Sequence, residues 1–248
     1  MKYQKEYDFL VTVVKDAYEN VIKGAKFVAN EKGTKDLVTT LDVACEKYII
    51  SRIKELFPDD HIVSEEGNAN KKLVGRCWLI DPIDGTNNFA NGLPLWVIQM
   101  AFVDENEPVC SVVYAPIFDE VISAHVGEGV YLNGVKQPKV KEKPANQLLI
   151  GTAIDHAIKP LFFNPKTIPL YLKTRMFGSA GYSFSSVALG RFGGYIVQAL
   201  YPWDTVPGVL LCREAGIEVY QKDIQGRHIS MAINNKKFVK AVNFESLE

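Results

Sequence analysis

Residues 79–92 read LIDPIDGTNNFANG: two aspartates, Asp81 and Asp84, flank Pro82-Ile83 and run into Gly85, Thr86 and the pair Asn87-Asn88. The residues just before, Cys77-Trp78-Leu79-Ile80, are apolar and read as the end of a buried strand. Asp, Pro, Gly and Asn are the residues that turns favour, so one reading is a turn. The other is a cage for a hard cation. Pro82 fixes its own φ and has no N–H, which stiffens the strand exit and leaves Ile83 able to offer its carbonyl. Gly85 permits a dihedral or a close approach denied to other residues. A short helix starting near Thr86 would aim its free N–H groups at the same space.

Working outward, other acids stand where elements begin or end. Asp42 opens a helix, Glu65 and Glu66 follow a strand ending at Ser64, and Asp204 opens the helix after Trp203. Taken singly, Asp42 and Asp204 read as helix caps and Glu65-Glu66 as a solvated loop. Taken together they read as a magnesium site, because Mg2+ takes oxygen ligands, keeps several waters and needs only a few carboxylates. The Thr86 hydroxyl would orient a water whose pKa such an ion lowers toward neutrality.

Apolar residues recur at helical spacing over 7–29, through Phe9, Val13, Ala17, Val21, Ala25 and Val28, and over 41–57, through Ala44, Tyr48, Ile49, Ile53 and Phe57. Two helices packed side by side are expected, with a polar break at 30–36 between them. Strands are expected at 61–64, 76–80, 97–103, 109–114 and 121–126, then a strand at 148–153 and helices at 182–189 and 205–215. The first part is thus an α+β unit and the second is of α/β type. The Lys- and Pro-rich stretch 135–147, VKQPKVKEKPANQ, marks the expected boundary between an N-terminal domain, 1–137, and a C-terminal domain, 138–248, that contributes Asp204.

Composition excludes several classes. With 47% hydrophobic and 23% charged residues the chain belongs with soluble globular proteins, not disordered or fibrous ones. A net charge of -1 gives no ground for a nucleic acid or a membrane surface as partner. Cys45, Cys77, Cys110 and Cys212 form no C-x-x-C pair and fit reduced thiols in a cytoplasmic protein. The N-terminus does not read as a signal peptide, and the longest apolar run, 93–103, is short of the about 20 residues a bilayer requires. His61, His125, His156 and His228 make no H-E-x-x-H pair, and no P-loop, dinucleotide fingerprint or G-x-S-x-G elbow occurs.

The motifs DLVTTLD at 36–42, SEEG at 64–67, WLIDPIDGTNNF at 78–89, and WD at 203–204 with EAG at 214–216 occur in the order and at about the spacing of the inositol monophosphatase family, which the chain resembles over most of its length. The resemblance implies a layered α-β-α-β-α sandwich, a homodimer, and lithium-sensitive, magnesium-dependent hydrolysis of a small phosphomonoester by direct attack of water. It implies two or three Mg2+ ions on Glu65, Asp81, the Ile83 carbonyl, Asp84 and Asp204, with Glu65, Thr86 and Asp42 as catalytic residues. Substrate contacts are implied for Asp84, Gly85, Thr86, Gly178, Ser179, Ala180 and Asp204.

Departures from the family pattern bear on the substrate. Val197 stands where inositol-specific members carry a glutamate, and Asn87-Asn88-Phe89 replaces the Lys-Glu-Phe of relatives that hydrolyse adenosine bisphosphate. Pro207-Gly208 replaces the usual small residues after Asp204, in what reads as a tolerant first helical turn. Fructose 1,6-bisphosphate and the 2'-phosphate of NADP(H) are the alternative substrates. A non-catalytic binding module is the rival class, opposed by the intact acids. For Asp84→Asn the sequence suggests lost hydrolysis with little effect on folding.

Overall fold

The computed structural model describes residues 2–32, 36–69, 72–142, 144, 149–153, 173–199, 201–224 and 227–235. Leu10, Val13, Val14 and Ala17, spaced three and four apart, give helix α1 (Gln4–Ala17) one buried face. The helix continues only through a π turn, Tyr18–Ile22, before Gly24 takes a left-handed φ of 71°. The expectation of a helix to residue 29 is therefore corrected: Phe27 and Val28 are exposed. On either side of residues 33–35, which lie outside the described residues, the supposed polar break holds an antiparallel strand pair, β1 (Ala29–Lys32) and β2 (Asp36–Thr39). Helix α2 (Thr40–Leu56) starts with a capping box, in which the Thr39 hydroxyl accepts from the Asp42 N–H and the Asp42 carboxylate accepts from the Thr39 N–H.

Residues 61–136 supply a seven-stranded sheet in chain order: β3 (His61–Ser64), β4 (Cys77–Asp84), β5 (Val97–Asp104), β6 (Glu107–Ala115), β7 (Glu120–His125), β8 (Gly129–Leu132) and β9 (Val135–Lys136). β3 and β4 are parallel and the remaining pairs antiparallel. A single turn of helix, α3 (Thr86–Ala90), follows β4. The second sheet has the order β11-β10-β12-β14-β13 from β10 (Leu149–Ala153), β11 (Lys173–Arg175), β12 (Gly194–Ala199), β13 (Glu218–Ile224) and β14 (Arg227–Ile233). Between the sheets lie α4 (Ala180–Ala188) and α5 (Pro202–Glu214).

Alternation along the strands sorts the core. Trp78, Ile80, Ile98, Met100 and Phe102 face α1 and α2. On the opposite face Cys77, Leu79, Ala101 and Val103 pack with Trp203 of α5, while Val97, Val113 and Ile122 join α4, α5 and the second sheet's Tyr195, Val197 and Ala232. Helix pair, sheet, helix pair and sheet are four layers of the expected α-β-α-β-α sandwich; the expected fifth is not among the described residues, and 143 and 145–147 of the Lys- and Pro-rich segment fall outside them. Among the described residues no helix is long and apolar enough to cross a membrane.

The start of β4 is pinned by charge. Arg76 bridges Glu6 of α1 at 2.6 Å and Asp60 at 2.7 Å, and Asp60 also accepts from the Trp78 indole at 2.9 Å. Register of the strand against α1 is thereby fixed. One helical expectation is corrected: Pro202 occupies the first position of α5, so Pro207 lies inside the helix, where its missing N–H removes the bond to the Trp203 carbonyl. Glu214, at the end of α5, holds the β7–β8 turn by accepting from the Gly127 and Gly129 amides at 2.9 and 2.8 Å.

Gly208 shows how closely α4 and α5 approach, since a Cβ there would come within 2.4 Å of the Phe184 Cβ. Gly208→Ala gains about 1 kcal/mol of helix propensity but forces two helices apart, which typically costs about 1–3 kcal/mol. Thermal unfolding is expected to show a lower Tm for the variant. A raised Tm would contradict the close packing.

Candidate active site

Every residue of β4 is buried. Asp81 pairs with Gln99 and Asp84 with Val97, so the strand steps three residues where β5 steps two. That is a bulge with Pro82 inside it, which spares the proline a ladder bond it cannot make. The turn reading of Asp81-Pro82 is therefore corrected, because the strand runs through the proline and ends at Asp84. Gly85 follows with φ 91°, and a Cβ there would lie 3.1 Å from the carbonyls of Gly178 and Leu95 and from Ser179 Cβ. Both conformation and space require glycine.

A cavity of about 190 Å³ opens at this strand end, lined by Glu65, Asp81, Ile83, Asp84, Gly85, Thr86, Gly178 and Asp204, with Leu37 and Asn87. Glu65 comes from the turn after β3 and Asp204 from the first turn of α5. Asp42, Ser179 and Ala180 stand behind that lining. The Thr86 hydroxyl lies 3.0 Å from Asp42 Oδ1 and 2.9 Å from the Ile83 carbonyl, and its single proton can serve only one at a time. Ser179 Oγ donates to Asp84 Oδ2 at 2.5 Å, and the amides of Ala180 and Gly181 donate to Asp84 at 3.1 and 2.7 Å. Asp84 thus caps α4 from another strand. The structure revises the sequence view of Asp84→Asn, since an amide cannot accept all of these bonds and the change is expected to weaken the fold as well.

Asp81 is placed differently. Its Oδ2 accepts from Gln99 Nε2 at 3.1 Å, while its buried Oδ1 has no hydrogen-bond partner among the described residues. Burial pushes the Asp81 carboxyl well above the usual carboxylate range, and the charges of Glu65, Asp84 and Asp204 push it further. Burial also raises Asp84, against the pull of Ser179 and the α4 amides. Asp42 is raised by burial too, opposed by Thr39 and Thr86. Sequence reasoning missed Glu46, one turn beyond Asp42 on α2, whose carboxylate accepts from the Glu66 amide at 2.7 Å and so steadies the loop carrying Glu65. Its i,i+4 spacing from Asp42 was the available signal.

Among the described residues no three Asp, Glu, His or Cys side chains meet closely enough to enclose one cation. The acids surround the cavity without converging on a single point. Their chemistry still suits a hard divalent ion: oxygen donors only, a buried carboxylate oxygen left open at Asp81, and a carbonyl at Ile83. The described histidines take no part in this lining. His125 is buried against the Lys2 carbonyl, His61 is exposed, His228 pairs with Asp223, and His156 lies outside the described residues.

Comparison with known proteins follows the same line. A sequence profile described as the inositol monophosphatase family matches residues 2–242. A Thermotoga maritima protein named fructose-1,6-bisphosphatase/inositol-1-monophosphatase is 33% identical over 189 residues, covering 76% of this chain and 73% of its own. A solved staphylococcal inositol monophosphatase-1, an inhibitory complex soaked in lithium chloride, is 23% identical with a TM-score of 0.82, over 97% of this chain and 94% of its own. A solved IMPase/NADP phosphatase complexed with Mg2+ and phosphate is 22% identical with a TM-score of 0.82, over 98% of this chain and 96% of its own. Both solved structures share the fold.

The raised carboxyls set a pH dependence. An Asp in an unfolded chain titrates near about 3.9, and a group raised above that on folding stabilises the fold below the unfolded value and loses its contribution as pH climbs through the folded value. In EDTA, Asp81→Asn, which is neutral at every pH, is expected to gain stability relative to the parent protein as pH rises from about 4 to 7. Melting temperatures across that window check it. An advantage that shrinks with pH would contradict the raised Asp81 carboxyl.

Proposed function

We propose, on the premise that this chain belongs to the inositol monophosphatase family, that it is a magnesium-dependent phosphatase cleaving small phosphomonoesters by direct attack of water on phosphorus. That it is a phosphatase follows from the family itself. The observation that carries the finer reading is Asp81: a wholly buried carboxylate with one oxygen unpartnered, facing further acids across a small cavity. Such an atom is costly to bury unless a cation or a proton answers it.

Two or three Mg2+ ions would be held by Glu65, Asp81 Oδ1, the Ile83 carbonyl, Asp204, and Asp84 through lone pairs its hydrogen bonds leave over; when bound they supply positive charge to the phosphate and a lowered pKa for the attacking water. The chain's own residues do the rest. Thr86 Oγ can accept a hydrogen bond from that water while donating its own proton to Asp42 Oδ1, which gives the water's proton a route toward a buried carboxylate. Glu65 shares this wall of the cavity, steadied from behind by Glu46. Gly85, packed against the Gly178 carbonyl where a side chain would not fit, lines the cavity together with Gly178 and Asp204 and leaves the phosphate a wall of backbone there.

The cavity of about 190 Å³ is smaller than the roughly 300–1,000 Å³ of pockets that enclose a whole small ligand. It therefore takes the phosphoryl end and leaves the remainder of the substrate at the mouth. Val197 is buried on β12 and offers no polar atom to a ring hydroxyl. Sugar phosphates of the fructose 1,6-bisphosphate class are accordingly favoured over inositol phosphates; the name of the Thermotoga maritima relative carries both activities. The 2'-phosphate of NADP(H) is the second candidate, through the IMPase/NADP phosphatase that shares the fold. The assembly that accompanies this reading is a homodimer in the cytoplasm, with lithium as an inhibitor.

Phosphate release measured over inositol 1-phosphate, fructose 1,6-bisphosphate and NADP tests both parts. Activity is expected with Mg2+ and not with EDTA, with kcat/KM higher for fructose 1,6-bisphosphate than for inositol 1-phosphate. Asp81→Asn is expected to lower kcat/KM by at least about a thousandfold, or about 4 kcal/mol of transition-state stabilisation, without unfolding. Full turnover in EDTA, or in Asp81→Asn, would end the proposal.

A further inference from the structure

The face of β5 that packs toward α4 and α5 carries Val97, Ala101 and Val103, and among them one polar residue, Gln99. Gln99 is fully buried. Its Nε2 donates to Asp81 Oδ2 at 3.1 Å, and its Oε1 has no hydrogen-bond partner among the described residues. An ionised carboxylate only accepts, so the amide must turn its NH2 toward Asp81. The carbonyl end is lodged against α4, where a Cβ on Gly181 would come within 2.6 Å of Oε1. Gly181 is the residue whose amide donates to Asp84 Oδ2 at 2.7 Å. One side chain therefore spans the space between the carboxylate of Asp81 and the helix start that holds Asp84.

A residue chosen for packing alone would be apolar here, since burying an unpaired carbonyl oxygen is unfavourable. Something else must offset that cost. We propose that Gln99 is a positioning residue for Mg2+ binding: by occupying Asp81 Oδ2 it fixes the carboxylate plane and keeps Oδ1 open to the ion. The inference rests on the reading of the cavity as a Mg2+ site and adds to it a residue outside the acidic set. It acts through Asp81 and touches neither substrate nor reacting atoms. Outer partners that orient metal-binding carboxylates commonly affect affinity by about 10–100-fold.

The test is Mg2+ titration by calorimetry into the full-length protein without substrate, comparing the parent with Gln99→Met, which keeps the length and removes the donor, and Gln99→Asn, which keeps the amide and falls short of Asp81. Both variants are expected to fold, with the metal-free Tm of Gln99→Met equal to or above the parent's. Their Mg2+ dissociation constants are expected to rise by about 10–100-fold, and the Mg2+ concentration for half-maximal activity to shift by the same factor while kcat at saturating Mg2+ stays near the parent's. A structural role would give the reverse pattern, a lower Tm with unchanged Mg2+ affinity. Unchanged affinity in either folded variant overturns the inference while leaving the metal site standing. Failure of both variants to fold makes Gln99 a folding residue and overturns it too. Absence of Mg2+ binding by the parent protein removes the site and the inference together.

Discussion

Two carboxylates on a strand with no exposed residue are the constraint around which the rest of the molecule is arranged. An isolated buried charge is among the most unfavourable things a fold can contain, and proteins tolerate it only with donors, protons or cations close by. Asp84 is answered by a hydroxyl and backbone amides at the start of α4. Asp81 is answered by a single amide donor and keeps one oxygen open. The difference between them divides the roles: one aspartate joins the seven-stranded sheet to the helices beneath the second sheet, and the other is left with unfilled capacity at the cavity.

The layers exist in a form that serves this arrangement. β4 lies between β3 and β5, with α1 and α2 on one face and α5 on the other, so its end is screened from water on both sides. The bulge at Pro82 brings Asp81 and Asp84 onto one cavity, although an even ladder would set residues three apart on opposite faces. Close approach of α4 and α5 at Gly208 brings Asp204 to the same place. Trp203, stacked with Tyr201 at 4.5 Å, anchors the first turn from which Asp204 projects.

Much of this was legible in the sequence, for a physical reason: the acids fall within short motifs at element ends, where local chemistry is strong. Helix α2 and strands β3 to β7 could be read from periodicity because a period of 3.6 or short apolar runs persist there. What could not be read depends on contacts between distant segments. The end of α1 was misplaced because Ala25 and Val28 continue its apolar spacing past Gly24, and nothing local says that residues 29–32 will pair with 36–39. The turn at Asp81-Pro82 was a fair local reading, overruled by the pairing with β5. The bond from Asp84 to Ser179 spans 95 positions in the chain, and the role of Gln99 shows only once β5 lies beside β4. Pro207 was misread because the helix begins at Pro202, before Asp204.

Diffraction at the manganese absorption edge from crystals grown with Mn2+, an anomalously scattering substitute for Mg2+, examines the acidic cavity most directly. The account places an anomalous peak at coordination distance from Asp81 Oδ1, near the about 2.0–2.1 Å of the Mg2+ it replaces, with Glu65 or Asp204 completing its coordination. An ordered Asp81 with no peak beside it, or with every peak lying elsewhere on the molecule, would contradict it.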